Sequence, residues 1–257
     1  MLYNTNESNE IIQLSEEIIH DIKFDTNKIN LVGVGKLLKN KGFDRLLRIE
    51  KRLLDEQYPI CLSILGDGIQ KTELQKYVQD NKMDEEVKFL GYQLNPYKYV
   101  AKYDLFVCAS FAEGFSTAAT EALIVGTPVC TVEVSGMKEM LGENNEYGLV
   151  VENNEEALYQ GIKKRQYVKH IETAENYVAA KEYDKAIVAY RLAIKINKKQ
   201  VRPYQGLSDA YIAQGEYSQA RLVLKAGMLE TGSALLEQMY AKIRDIPDES
   251  GLQADVQ

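Results

Sequence analysis

The chain has 257 residues, enough for one large or two modest domains with a substantial core. Hydrophobic residues make up 45% and charged residues 27%, and the formal charge of −7 argues against nucleic acid or anionic lipid as the main partner. The acidity is uneven: residues 166–257 carry 12 Lys+Arg and 12 Asp+Glu, which leaves 19 and 26 for the first 165 and points to a domain boundary there.

Residues 1–28 are polar and form a linker with a helical pattern from Glu10 to Ile19. From Ile29 strands and helices alternate. Strands are predicted at 29–34, 60–65, 87–90, 105–109, 128–132 and 148–151. Helices are predicted at 42–56, 71–81, 96–102, from Ser116 to 125, 136–141 and 155–164. Such alternation predicts an α/β domain over 29–165, a Rossmann-like parallel sheet with helices on both faces. Ligands of these sheets bind at the carboxyl ends of the strands. Gly35-Lys36, Gly66-Asp67-Gly68, Gly91-Tyr92 and Glu113-Gly114 all fall there.

The stretch Gly33-Val-Gly35-Lys36-Leu-Leu-Lys-Asn-Lys41-Gly42 fits neither of two rival phosphate motifs. A dinucleotide fingerprint needs a third glycine where Leu38 stands, and a P-loop needs Lys-Ser/Thr after its second glycine. What remains is a pair of glycines permitting close backbone approach and two lysines able to meet a diphosphate. Read alone, Lys36 and Lys41 are equally well solvated loop charges. Gly66-Asp67-Gly68 reads as a turn after a strand.

The apolar run Asp104-Leu-Phe-Val-Cys-Ala-Ser110 reads as a buried strand, and Glu113-Gly-Phe-Ser-Thr-Ala-Ala-Thr-Glu121 follows it. Ser116 and Thr117 are helix N-cap candidates, so a strand, a glycine turn and a helix start occur in the order that presents N–H groups to an anion. Glu121 then lies roughly 6 Å along the helix. Spacing alone is equally that of two surface glutamates. With Gly-Phe after the first and Glu-Ala-Leu at the second, however, the pair resembles the signature of retaining GT-B glycosyltransferases, family 4, which use nucleotide-sugar donors.

The resemblance covers about residues 1–165. It implies that Glu113 contacts the transferred sugar, that Glu121 holds the ribose hydroxyls, and that Gly114, Phe115, Ser116 and Thr117 offer backbone N–H groups to the donor. It also places Gly35, Gly91 and Tyr92 beside the nucleotide. Lys36, standing where the family usually has Arg, and Lys41 would meet the diphosphate as point charges. The family's acceptor-binding half precedes a segment like residues 1–28, so the chain is expected to begin at the junction between halves. A separate protein would then have to supply the acceptor half.

An internal repeat follows. Tyr177, Tyr183, Ala186, Tyr190 and Ala193 recur 34 residues later as Tyr211, Tyr217, Ala220, Leu224 and Gly227. This is similar to the tetratricopeptide repeat, with units at 168–199 and 202–233, a capping helix at 234–244 and a tail at 245–257. Within the domain scheme this makes 166–244 a small all-α region. Its tyrosines read as packing residues, and the repeats offer a surface for a protein partner.

Cys61, Cys108 and Cys130 sit in apolar strand-like runs, which favours buried reduced thiols over disulfides or a metal site. The absence of an Asp-x-Asp motif points the same way, and no metal or cofactor is expected beyond the donor substrate. No run of ~18 apolar residues and no signal peptide is present, so no transmembrane segment is predicted and a cytoplasmic location is expected. His20 and His170 have no identifiable nucleophilic partner. The expected function is a glycosyltransferase donor domain using a nucleotide-diphosphate sugar, in the first instance a UDP-sugar, for bacterial surface polysaccharide. The alternative is a non-catalytic nucleotide-sugar-binding or scaffold protein.

Overall fold

The computed structural model describes residues 5–25, 28–112, 116–134, 136–142 and 147–249, with side chains from Ser8. It divides into two compact units, 1–162 and 163–257. In the first, six strands form one sheet: Ile29–Val34 (β1), Ile60–Leu65 (β2), Val87–Gly91 (β3), Leu105–Cys108 (β4), Val129–Val132 (β5) and Leu149–Val151 (β6). Every neighbouring pair is parallel, and the order is β3-β2-β1-β4-β5-β6. The order changes direction between β1 and β4, which is where doubly wound sheets open a crevice for a ligand.

Helices cover both faces of this sheet. The chain adds Thr5–Ser15 (α1), Phe43–Asp55 (α2), Lys71–Asp80 (α3), Tyr97–Val100 (α4), Thr117–Ile124 (α5) and Met137–Leu141 (α6). Successive residues of a strand point to opposite faces. Val32 of β1 accordingly joins a buried cluster with Tyr99 and Val100 of α4 and Ala119 and Ala122 of α5. Gly33, the next residue, lies under α2 on the other side, where a Cβ would come within 3.1 Å of the Phe43 ring. Two residues of α2 break its apolar face: Arg45 and Glu50 are both buried there.

Two element boundaries differ from the sequence pattern. Helix α1 occupies 5–15 where 10–19 is predicted. Its end tightens into i−3 bonds, from Glu16 N to Gln13 O (3.2 Å) and from Glu17 N to Leu14 O (3.4 Å). The helix predicted to end at Lys164 is longer, Glu155–Ala179 (α7). No Gly or Pro lies between Ile162 and Ala179 to stop it, and it closes where Lys181 adopts a left-handed φ of 59°.

In the second unit α7 is followed by Tyr183–Ile196 (α8), Val201–Ala213 (α9), Tyr217–Thr231 (α10) and Ala234–Ile243 (α11). The repeat positions are the packing positions. Ala186, Tyr190 and Ala193 of α8 and their counterparts Ala220, Leu224 and Gly227 of α10 are all buried. Tyr177, Tyr183 and Tyr217 pack at the edge of the same cluster, with Tyr211 inside it. The expected tail runs beyond the described residues from Ser250.

Candidate functional site

The carboxyl ends of β1, β2 and β3 enclose a cleft of about 620 Å³. Its walls are Val34–Lys36, Leu65–Gly68, Tyr92–Leu94, Pro96 and Tyr97 from the start of α4, and Glu121 from α5. Of the predicted residues, Gly35, Lys36, Tyr92 and Glu121 therefore share one cavity. Lys36 is exposed, and Tyr92 is 74% exposed at the rim.

The floor of the cleft is stitched by backbone. Gly35 N donates to Leu65 O (3.0 Å), Gly66 N to Gly91 O (2.7 Å), Leu37 N to Asp67 O (2.9 Å) and Gln70 N to Leu37 O (3.1 Å). Gly66 has φ +140°, and a Cβ on it would lie 1.9 Å from the Gly35 carbonyl oxygen. The close approach in this region is thus made by Gly66 against Gly35. A Cβ on Gly35 itself would meet nothing nearer than 3.9 Å. Gly91 carries φ +68° and its carbonyl is engaged by Gly66. The Asp67 carboxylate accepts from Lys71 Nζ and from Gly68 N, both at 2.8 Å, and these partners hold its pKa below the usual carboxylate value.

A smaller recess of about 20 Å³ opens between β1 and β4, at the change in strand order. Lys41, half-buried in the 3-10 turn Lys39–Lys41, and Ser116 line it, and Val34 lines both recesses. Ser116 caps α5: its Oγ accepts from Ala119 N at 3.3 Å, and its own backbone is extended. The positive end of α5 thus begins beside Lys41. Thr117, the first residue of the helix, is exposed.

Glu121 is half-buried. Burial raises its pKa, and the Tyr97 hydroxyl, donating to Oε1 at 3.5 Å, opposes that shift. Glu113, Gly114 and Phe115 lie outside the described residues. The strand exit just before them is held firmly. Arg45, 2% exposed, donates to Ala109 O (2.6 Å), Ser110 O (2.8 Å) and Asn153 Oδ1 (2.9 Å), and its guanidinium stacks 4.3 Å from the Phe111 ring centre. Asn153 in turn donates to Phe111 O at 3.0 Å, and Phe111 N donates to Asn40 O at 2.8 Å. Gly42, φ +68°, packs where a Cβ would sit 1.9 Å from Ala109 O. Sequence reasoning passed over Arg45 and Tyr97. The Arg follows Lys-Gly-Phe-Asp on an amphipathic helix, and only its place on the apolar face could have marked it. Among the described residues no cluster of three or more His, Cys, Asp or Glu could hold a metal ion.

The sequence matches the family described as Glycosyl transferases group 1 over residues 15–183. The chain belongs to that family. The match runs past residue 165, where the family likeness is expected to stop, and overlaps a tetratricopeptide repeat match at 177–243. Among curated relatives is the N-acetylgalactosamine-N,N'-diacetylbacillosaminyl-diphospho-undecaprenol 4-alpha-N-acetylgalactosaminyltransferase of Campylobacter jejuni. It is 38% identical over 166 residues, 63% of this chain and 43% of that protein. The poly(ribitol-phosphate) alpha-N-acetylglucosaminyltransferase of Staphylococcus aureus is 26% identical over 132 residues, 51% of this chain and 26% of that protein.

The chain thus spans less than half the length of these relatives. Among solved structures, WaaG, a glycosyltransferase involved in lipopolysaccharide biosynthesis, shares the fold with a TM-score of 0.50 at 16% identity, over 83% of this chain and 52% of that one. TarM does so with a TM-score of 0.50 at 20% identity, over 76% and 36%. No helix among the described residues is long and apolar enough to cross a membrane.

Proposed function

We propose that residues 29–165 are the donor-binding half of a retaining glycosyltransferase that uses a nucleotide-diphosphate sugar, in the first instance a UDP-sugar. The observation that carries this reading is the common cleft of Gly35, Lys36, Tyr92 and Glu121, joined through Val34 to the recess holding Lys41 and Ser116. The nucleotide lies in the large cleft, with its base near Gly91 and Tyr92 and its ribose hydroxyls on Glu121. The diphosphate reaches toward Lys36, Lys41 and the start of α5. There Ser116 and Thr117, with Gly114 and Phe115, supply backbone N–H groups.

The chemistry follows from charge. The bond between C1 of the sugar and the diphosphate oxygen breaks, and its electron pair leaves on the diphosphate. Lysine ammonium groups and a helix N-terminus stabilise that departing negative charge. The sugar passes through an oxocarbenium-like state beside Glu113, and an acceptor hydroxyl bonds to C1 on the face the diphosphate leaves, giving its proton to the departing diphosphate oxygen. No metal is required to meet the diphosphate in this scheme.

The relatives act, by their names, on an undecaprenol-diphosphate saccharide and on poly(ribitol phosphate). They support a bacterial surface glycan as the acceptor class. The reaction also needs an acceptor-binding half, from a further segment or another protein, and the helical repeats offer a docking surface for one. Calorimetry with UDP and a panel of UDP-sugars tests the donor assignment, with Glu121→Ala as control. Saturable binding lost in the variant supports it. Absence of binding by every nucleotide sugar overturns it and leaves a repeat scaffold.

A further inference from the structure

We infer that Tyr97 is a positioning residue that aims the Glu121 carboxylate into the cleft and thereby sets preference for a ligand bearing a free ribose diol. This rests on the nucleotide-sugar reading above and adds a residue to it.

The argument begins with what Glu121 lacks. Among the described residues no Lys, Arg or His pairs with it, and the Tyr97 hydroxyl is its side-chain partner. A half-buried carboxylate with one donor keeps most of its lone pairs unfilled, and an ionised carboxylate can only accept. On the cleft wall it therefore selects a ligand group rich in hydroxyl donors and repels a phosphate. Lys36 lines the same cleft and meets the opposite need. One cavity thus offers a carboxylate to the diol and an ammonium to the anion of a nucleoside diphosphate.

Tyr97 itself is fixed from behind. Asn95 Oδ1 accepts from Tyr97 N at 3.2 Å and from Lys98 N at 3.4 Å, and Asn95 Nδ2 donates to Leu14 O of α1 at 2.8 Å. Pro96 precedes it with a helical φ of −73°. These contacts set the backbone of the first turn of α4, and the half-buried ring lines the cleft beside Glu121. The 3.5 Å separation of hydroxyl and carboxylate is long for such a bond, and polar contacts of this kind tighten when a ligand excludes water.

The test compares UDP, 2′-deoxy-UDP and 3′-deoxy-UDP by calorimetry on the full chain as wild type, Tyr97→Phe, Glu121→Gln and the double variant. Wild type is expected to favour UDP over at least one deoxy analogue. Tyr97→Phe, which keeps the ring, should reduce that preference about threefold or more, with little change in affinity for the disfavoured analogue. Adding Tyr97→Phe to Glu121→Gln should then change nothing further. Thermal melts confirm that each variant is folded, and Asn95→Ala, which frees the Tyr97 backbone, is expected to lower the same preference should Tyr97→Phe fail to fold. A preference that survives Tyr97→Phe unchanged overturns the role of Tyr97 alone. Nucleotide binding with no ribose preference overturns it together with the role of Glu121. Failure of wild type to bind any of the three overturns the nucleotide-sugar reading as well.

Discussion

Arg45 on α2 donates from Nε to the carbonyl of Ala109, 64 residues away, at 2.6 Å. With its bonds to Ser110 O and Asn153, this fastens the exit of β4 to the helix that follows β1, across the change in strand order. Burial pulls the guanidinium's pKa down, but it stays charged at any working pH. Replacing it with Met would leave two buried carbonyls and an amide oxygen without their donor. Arg45→Met is expected to cost about 3–5 kcal/mol in urea unfolding. Arg45→Lys should recover only part, because an ammonium does not span the fork. Indistinguishable unfolding midpoints for the three proteins would contradict this account of the strand exit.

Glu50, on the same helix, is fully buried, and among the described residues both its carboxylate oxygens lack a hydrogen-bond partner. Burial pushes its pKa up to about 8, Glu86 adds to the shift and Lys28 opposes it. The neighbouring Cys61 thiol is pushed up to about 12, also chiefly by burial. In the folded chain Glu50 is thus a neutral acid up to about pH 8, whereas in the unfolded chain it ionises near ~4.3. Its contribution to stability is full below the unfolded value and declines as pH rises through the folded one. Glu50→Gln should therefore gain on wild type by several kcal/mol between pH 4 and pH 9. Urea titrations at intervals of pH measure the difference, and parallel curves for the two proteins would sink it.

These two side chains also mark the limit of what the sequence discloses. Strand lengths, the alternation of elements and the repeat offset are carried by apolar spacing, and the sheet and the helical repeats have the expected composition. Lys36 and Tyr92 were legible because they stand at strand ends beside glycines, where the chain must turn, and Glu121 because its spacing from Glu113 resembles the family pattern. Arg45 and Glu50 were not. A charged residue on a helix reads as solvated, and only the tertiary contacts of the β4 exit and of β2 put these two inside. Tyr97 was hidden for another reason: its partner lies 24 residues on, in a different helix. The change in composition after residue 165 predicts a helix end at Lys164, yet no Gly or Pro stands between Ile162 and Ala179, and α7 runs on.

The cleft floor distinguishes two glycines that look alike in sequence. Gly66 meets the Gly35 carbonyl so closely that a Cβ would stand 1.9 Å away, while Gly91 has nothing within 4 Å. Both have positive φ. Gly91→Ala should cost only the left-handed strain, about 1–2 kcal/mol, and leave the cleft intact. Gly66→Ala must also displace Gly35 and Lys36, so UDP affinity is expected to fall roughly tenfold or more if Lys36 is worth a typical charge-assisted bond. Calorimetry alongside thermal melts separates the two effects. Equal loss of affinity in both variants would mean that the backbone contact does not shape the site.

The N-cap of α5 offers a milder perturbation. Ser116 Oγ satisfies Ala119 N, so Ser116→Ala should cost about 1 kcal/mol, and Ser116→Asp should restore the cap. The two replacements are expected to part company in binding. Asp places a negative charge beside Lys41, where the proposed diphosphate lies, and should weaken UDP binding although stability recovers. Matching trends in stability and affinity across both variants would argue against an anion at this recess.

In the helical repeats, Gly227 stands where the first unit has Ala193, and the reason lies in its neighbours. A Cβ on Gly227 would meet Tyr204 Cγ at 2.7 Å and Leu236 Cδ1 at 2.6 Å. The Leu methyl can rotate aside, but the Tyr204 ring root is fixed to the backbone of α9 and must move with it. At the matching offsets the first unit has His170 and Arg202 in place of Tyr204 and Leu236. Gly227→Ala is therefore expected to destabilise by about 1–3 kcal/mol through overpacking, outweighing the gain in helix propensity of about 1 kcal/mol. Leu236→Ala in the same chain should relieve only part of it, leaving the Tyr204 clash. Far-UV circular dichroism melts of the single and double variants decide this, and a stabilised Gly227→Ala would show that α9 and α10 are free to separate.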